Sequence, residues 1–288
     1  MKISKTQGIV ALFTATLLWG ISLVINKVAT SNTDPYLFLM TRYIIGSILM
    51  LVLFRKSFYK INRTYLIKGC IIGSLLFLSL LLQILGCHYT TVSKCSFLSA
   101  FYVIVVPLLE FILFKTIPSN KNIIAVILCL SGVAMLSLNS TFTIEPGDLI
   151  SIICGITYGF YFLSVGKLMK KEDPFVMHSI ILIVGMILSI LAALLLSEKP
   201  WTITTNGFIC ILYCGIFATT LGFLLQILGQ RSVEPTISSI ICSFESVIGA
   251  SLSVLFLHEV LSLKSIIGCI LIFAAILLPN LPLKIKSR

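Results

Sequence analysis

The stretch Leu81–Gly86 reads LLQILG, and Leu224–Gly229 reads it again. The correspondence continues without a gap at an offset of 143 residues: Phe101 pairs with Phe244, Leu109 with Leu252, Ser119 and Lys121 with Ser262 and Lys264, and Ile123-Ile124 with Ile266-Ile267. A second register, offset by 139 residues, aligns Gly8 with Gly147, Gly20 with Gly159, Asp34-Pro35 with Asp173-Pro174 and Gly46 with Gly185. The chain is a duplication, with a unit running over about 8–142 and again over about 147–283. Two repeat domains, 1–142 and 143–288, follow from this.

The medium in which the repeat folds is set by composition. Of 288 residues 58% are hydrophobic and only 11% charged, and the mean hydropathy is +1.11, values outside the range of soluble domains. A helix needs about 20 apolar residues to cross a bilayer core. Ten such spans fit, at roughly 8–29, 36–54, 65–86, 93–114, 121–139, 147–166, 175–196, 207–229, 236–257 and 263–281. The loops between them are short, which leaves no room for a water-soluble domain. The expected fold is an all-α integral membrane protein of ten transmembrane helices.

The net charge of +11 belongs to topology, not to nucleic acid. Sixteen of the Lys and Arg residues fall in the termini and the even-numbered loops, among them Arg55, Lys56, Lys60, Arg63 and Lys68; only Lys27, Lys94, Lys199 and Lys264 fall on the opposite side. Cytoplasmic loops carry the Lys/Arg excess, so both termini are expected in the cytoplasm and the protein in the cytoplasmic membrane. Lys2 and Lys5 before an apolar run imitate a signal peptide, but the run is long and no small-residue cleavage site follows, which predicts a retained first span. The nine cysteines lie in or beside spans without a CxxC pair, and read as apolar packing residues.

Polar groups inside spans are costly and mark function or glue. Trp19 lies mid-span with Asn26 and Lys27 beyond it, and this set reads either as an interfacial anchor with a snorkelling Lys or as a cavity wall. Arg42 stands about two turns into the second span, where contact with an anionic substrate and a structural hydrogen bond are equally readable. Gln83 and Gln226 occupy matching places in the two LLQILG spans, as helix-to-helix glue or as substrate contacts. Tyr102 and Glu245 also match, and Glu245 is the deepest acid. Tyr158 aligns with Trp19, and Tyr161 is one turn further on. Glu110 is expected to pair with Lys115, and Glu259 beside His258 to cap or solvate an end. Spans 5, 7 and 10 are nearly free of polar groups and read as peripheral or scaffold helices. Gly69-x-x-x-Gly73 and Gly155-x-x-x-Gly159 are spaced for close helix contact, and Asp34-Pro35 and Asp173-Pro174 read as helix starts.

Each repeat holds five spans, an odd number, so the second copy crosses the membrane the opposite way. Inverted repeats suit alternating access around a midplane site. An intramembrane enzyme fits poorly, because His88, His178 and His258 have no i, i+4 partner and no paired intramembrane Asp residues occur. A receptor or scaffold remains as the other non-transport reading. P-loop and Rossmann signatures are absent, and no cofactor or metal is expected. A buried carboxylate favours its protonated form, which makes proton coupling through Glu245 chemically open.

Trp19-Gly20 with Lys27, Arg42-Tyr43, the segment Tyr89-Thr90-Thr91-Val92-Ser93-Lys94, Tyr102 with Pro107, and Glu245 before a small-residue-rich half-span together resemble the EamA-type branch of the drug/metabolite transporter superfamily. The resemblance covers nearly the whole chain. It implies a carrier, monomeric or homodimeric, that moves small metabolites, amino acids or drugs, often outward, through a cavity lined mainly by spans 1, 3, 4, 6, 8 and 9. The family commonly has Glu-Pro where this chain has Glu245-Ser246, so a bend in span 9 would have to come from Ser246 or Gly249.

Overall fold

The computed structural model describes residues 3–137, 145–197, 201–257 and 263–278, all helix, turn or loop. Ten helical crossings appear among them. These are α1 (Lys5–Asn32), α2 (Pro35–Phe54), α3 (Arg63–Tyr89), α4 (Val92–Phe114), α5 (Asn120–Ser137), α6 (Pro146–Leu168), α7 (Pro174–Leu196), α8 (Thr205–Gly229), α9 (Pro235–Leu257) and α10 (Leu263–Leu277). Eight are long and apolar enough to span a bilayer; α5 and α10 are shorter over the described residues and pack on each other. Their outward faces carry large apolar side chains such as Val52, Leu195, Leu255 and Phe256, as a lipid-facing surface requires. The Asp-Pro helix starts are in place: the Asp34 carboxylate accepts from the N–H groups of Tyr36 and Leu37, and Asp173 from that of Phe175.

The two halves interlock about a two-fold axis. Helix α1 packs on α8 and α9, as α6 packs on α3 and α4, and α2 packs on α7 across the axis. The repeat is visible in single contacts. A Cβ on Gly20 would come 2.5 Å from Ile248, and one on Gly159 would overlap Val105, and these two pairs are equivalent under the two registers. The Gly-x-x-x-Gly pairs find their partners here: Gly69 and Gly73 let α3 close on α7, and Gly155 and Gly159 let α6 close on α4.

The inversion can be read at the helix ends. The C-terminal ends of α1 and α3 meet the N-terminal ends of α4 and α6, where Lys27 Nζ donates to the carbonyls of His88 and Thr90 at 3.2 and 2.9 Å and Thr90 Oγ1 donates to Glu145 and Asp148. Lys94 lies 3.7 Å from each of those two carboxylates. At the other end the starts of α1, α3 and α7 meet the ends of α4, α6 and α8. There Lys60 pairs with Asp173 and Lys68 with Glu172, both at 2.6 Å, and Arg231 donates to the Glu172 carbonyl. So α1 and α6, equivalent helices, run antiparallel.

Three helices are interrupted. In α4 the helical bonding tightens to i→i+3 from Phe101 to Leu98, from Val103 to Ala100 and from Ile104 to Phe101; in α9 it does so at the equivalent places, from Phe244 to Ile241, from Ser246 to Ser243 and from Val247 to Phe244. Serine hydroxyls bonded back to their own helix accompany both breaks, Ser96 and Ser99 in α4, Ser239 and Ser243 in α9, and such back-bonding bends helices. The bend in α9 therefore precedes Glu245 and needs no Pro; it is at Ser243-Phe244, not at Ser246 or Gly249. The third interruption is a π-helical stretch, Cys214–Gly222, inside α8. Gly73 packs on Val184 and Gly215 on Ile45, equivalent contacts. From Gly73 to Gln83 there are ten steps and from Gly215 to Gln226 eleven. The second copy thus carries one surplus residue, and the wider π turn accommodates it.

Two expectations change. Helix α7 is not peripheral: it packs on α2, α3 and α8 and buries His178 completely. Its apolar sequence concealed this, because lipid and helix interface are both apolar media and composition does not separate them. Glu110 pairs with Lys167 of α6 at 2.8 Å and accepts from Thr236 Oγ1 at 2.7 Å. Lys115 is instead the left-handed residue that ends α4, with φ of 55°. Lys199, His258 and Glu259 lie outside the described residues.

Candidate functional site

The breaks in α4 and α9 put Tyr102 and Glu245 at the first turn of each helix's second segment, midway across the molecule. Glu245 is held from α3, whose Gln83 Nε2 donates to it at 3.3 Å, and the Tyr158 hydroxyl of α6 donates to Gln83 Oε1 at 3.5 Å. Glu245 is only partly buried. Around it the rings form a continuous set. Tyr102 stacks on Phe162 at 5.0 Å and meets Tyr158 edge-on at 6.1 Å; Tyr158 meets Tyr161, and Tyr161 meets Phe223. Trp19 closes the set against Phe223 at 4.7 Å. Gln226 does not reach Glu245; it accepts from the Tyr161 hydroxyl at 3.0 Å and bonds to Gln230.

Six of the ten residues singled out in the sequence, Gln83, Tyr102, Tyr158, Tyr161, Gln226 and Glu245, thus form one connected cluster, and Trp19 joins it through Phe223. The two-fold shows in the polar contacts as well. Trp19 Nε1 donates to the Ala218 carbonyl in α8 at 3.0 Å, and its equivalent Tyr158 donates into α3.

Asn26 and Arg42 form a second, adjoining group. Arg42 Nε donates to Thr219 Oγ1 at 2.8 Å and Nη1 lies 3.5 Å from Asn26 Oδ1. Both side chains are buried. Lys27 stands apart, on the carbonyls at the end of α3.

Sequence reading missed three contributors. Thr219, His178 and Phe223 gather on or against the π stretch, where His178 Nε2 lies 2.9 Å from the Thr220 carbonyl. The surplus residue between Gly215 and Gln226 was the available signal. Glu110 with Lys167 and Thr236 borders a cavity of about 470 Å³ at the Lys-rich end. Just outside the spans at that same end, burial raises the pKa of Asp173, but the hydrogen bonds from Lys60 and from the Phe175 N–H outweigh it and hold the carboxyl below its ordinary 3.8.

Ten crossings, duplicated and inverted, with broken helices meeting around a partly buried acid, define a membrane transporter of the two-repeat type. The chain belongs to the EamA-like transporter family, which matches residues 6–138 and again 145–281. An uncharacterized transporter of Archaeoglobus fulgidus is 26% identical over 265 residues, covering 92% of this chain and 83% of its own. The uncharacterized transporter YvbV of Bacillus subtilis is 22% identical over 287 residues, covering 97% of this chain and 93% of its own. A crystal structure with 17% identity superposes with a TM-score of 0.80 over 96% of this chain and 97% of that one, a likeness of fold.

Proposed function

We propose that this protein is a secondary carrier that exports small polar or amphipathic metabolites across the cytoplasmic membrane by alternating access. The observation that carries the reading is the convergence of both broken helices on Glu245 and Gln83, where a partly buried carboxylate stands beside a continuous set of aromatic rings. Trp19, Tyr102, Tyr158 and Tyr161 serve as the walls of the pathway, Gln83 and Gln226 offer amide contacts, and Glu245 exchanges a proton as the site changes its exposure. The halves 1–142 and 143–288 act as the two moving units. The carbonyl-bound Lys27 and the Lys94–Glu145–Asp148 group close one end, and the Lys60–Asp173 and Lys68–Glu172 pairs close the other. The excess of Lys and Arg at this second end supports placing it, with both termini, in the cytoplasm. No step calls for a cofactor or a covalent intermediate, so the protein is read as a non-enzymatic carrier.

The test is solute flux in proteoliposomes with and without an imposed pH gradient, comparing the natural chain with Glu245→Gln. Gradient-dependent accumulation that the Gln form loses is the expected result. Equal flux from both forms without regard to the gradient would make Glu245 structural and the protein a facilitator. Absence of flux for every solute would favour a receptor or scaffold.

A further inference from the structure

Arg42 is a buried guanidinium with no anion. It is 1% exposed, and among the described residues every ion pair involves other side chains. Of its five N–H donors one makes a short bond, to Thr219, and a second makes a long contact to Asn26. Beside it, Asn26 Nδ2 is fully buried and has no hydrogen-bond partner. Buried polar atoms are almost always satisfied, and an unpaired buried charge is more costly still. An underused guanidinium beside an unpartnered amide N–H marks a place where an anionic guest would be bound.

The fold itself does not require this pair. In the other copy of the repeat, the positions equivalent to Asn26 and Arg42 hold Val165 and Ile181. The same packing is achieved there with apolar side chains. The polar version occurs only where α8 carries its surplus residue, and the π stretch delivers the Thr219 hydroxyl to Arg42.

We propose that Arg42 and Asn26 receive the carboxylate of the transported substrate, a monoanionic organic acid or a zwitterion with an apolar body. The fork of a guanidinium and an adjacent amide N–H match a carboxylate. A single positive charge suits a single negative one, which selects against a phosphate dianion. The neighbouring rings, Trp19 against Phe223 and Phe223 against Tyr161, give the apolar body its surface. The assignment rests on the carrier reading and adds the chemistry of the cargo.

The experiment is thermal unfolding of the purified full-length chain with matched probes: 3-phenylpropionate against 3-phenylpropionamide, and L-phenylalanine against L-phenylalaninamide. Each carboxylate is expected to raise the midpoint of the natural chain above the value given by its amide. The zwitterion arm shows whether an ammonium is accepted as well. Arg42→Gln retains a donor for Thr219 and loses the charge. Without ligand it is expected to unfold no lower than the natural chain, and to bind carboxylates at least about tenfold more weakly. Arg42→Lys keeps the charge and loses the fork, and is expected to fold and to retain a reduced preference for acid over amide. The proposal is overturned if acids and amides act alike, if Arg42→Gln keeps the acid response, or if both Arg42 variants unfold lower without ligand, which would make Arg42 a structural support of the π stretch. Flux of neutral or cationic solutes that no carboxylate inhibits would overturn this assignment and leave the carrier reading standing. A carboxylate response lost in Arg42→Gln without any flux would do the reverse.

Discussion

At the scale of the residue, what separates the charged groups of this protein is whether each has been given a partner. Lys60 and Asp173 have each other at the membrane surface, and the consequence for pH has a definite sign. Hydrogen bonding to Asp173 and the field of that carboxylate raise the Lys60 pKa from 10.5, so its contribution to stability is full below that value and fades as pH rises through the higher folded one. Asp173 is held below 3.8, so its contribution is full above that value and fades as pH falls through the lower folded one. The clasp is therefore constant across the physiological range. Asp173→Asn keeps a good helix cap and removes the charge. Its stability deficit is expected to be flat from roughly pH 5 to 9 and to shrink toward acid, a profile that unfolding midpoints against pH will check. Gln83 and Glu245 were legible in the sequence because lipid leaves so few polar residues to weigh. Glu110 was assigned the wrong partner because a neighbour one turn away is visible in a sequence and Lys167, on another helix, is not.

At the scale of the element, the informative helices are those that depart from regularity. The breaks in α4 and α9 were written as serines placed to bond back along the helix, a signal masked by attention to Pro. Close packing without such breaks is governed by glycine. Gly159→Ala would force its new methyl into Val105 and is expected to cost about 1–3 kcal/mol. In the Gly159→Ala background, Val105→Ala should recover most of that loss, and a double-mutant cycle on unfolding free energies will measure the coupling. The mirrored pair Gly20 and Ile248 should behave the same way, since the packing is the same. Helix α8 departs differently. Its π stretch leaves carbonyls that Trp19 Nε1 and His178 Nε2 approach, at Ala218 and Thr220. Trp19→Phe keeps the ring contact with Phe223 and abandons the Ala218 carbonyl. It is expected to destabilise the chain by about 1 kcal/mol, read from the shift in its unfolding midpoint.

At the scale of the whole molecule, the architecture was legible because it is stated twice. Five apolar spans, a recurring hexapeptide and two registers four residues apart define ten helices and their inversion before any contact is known. Helix rotation was not legible: apolar faces turned to lipid and to protein look alike, so α7 was grouped with the peripheral helices and Lys27 was taken for a wall of the pathway, though it lies on the carbonyls at the end of α3. The one-residue surplus in α8 reaches further than its local geometry. Two copies that began identical had to stay alike wherever they pack on one another, since a change in one half is felt at its mirror contact. An inserted residue took one turn of helix out of that bargain. Chemistry foreign to the other copy could then collect there without disturbing the shared frame. Under the assignment proposed for Arg42, what such a carrier accepts can change through the unmatched turn, while the symmetrical remainder is inherited intact.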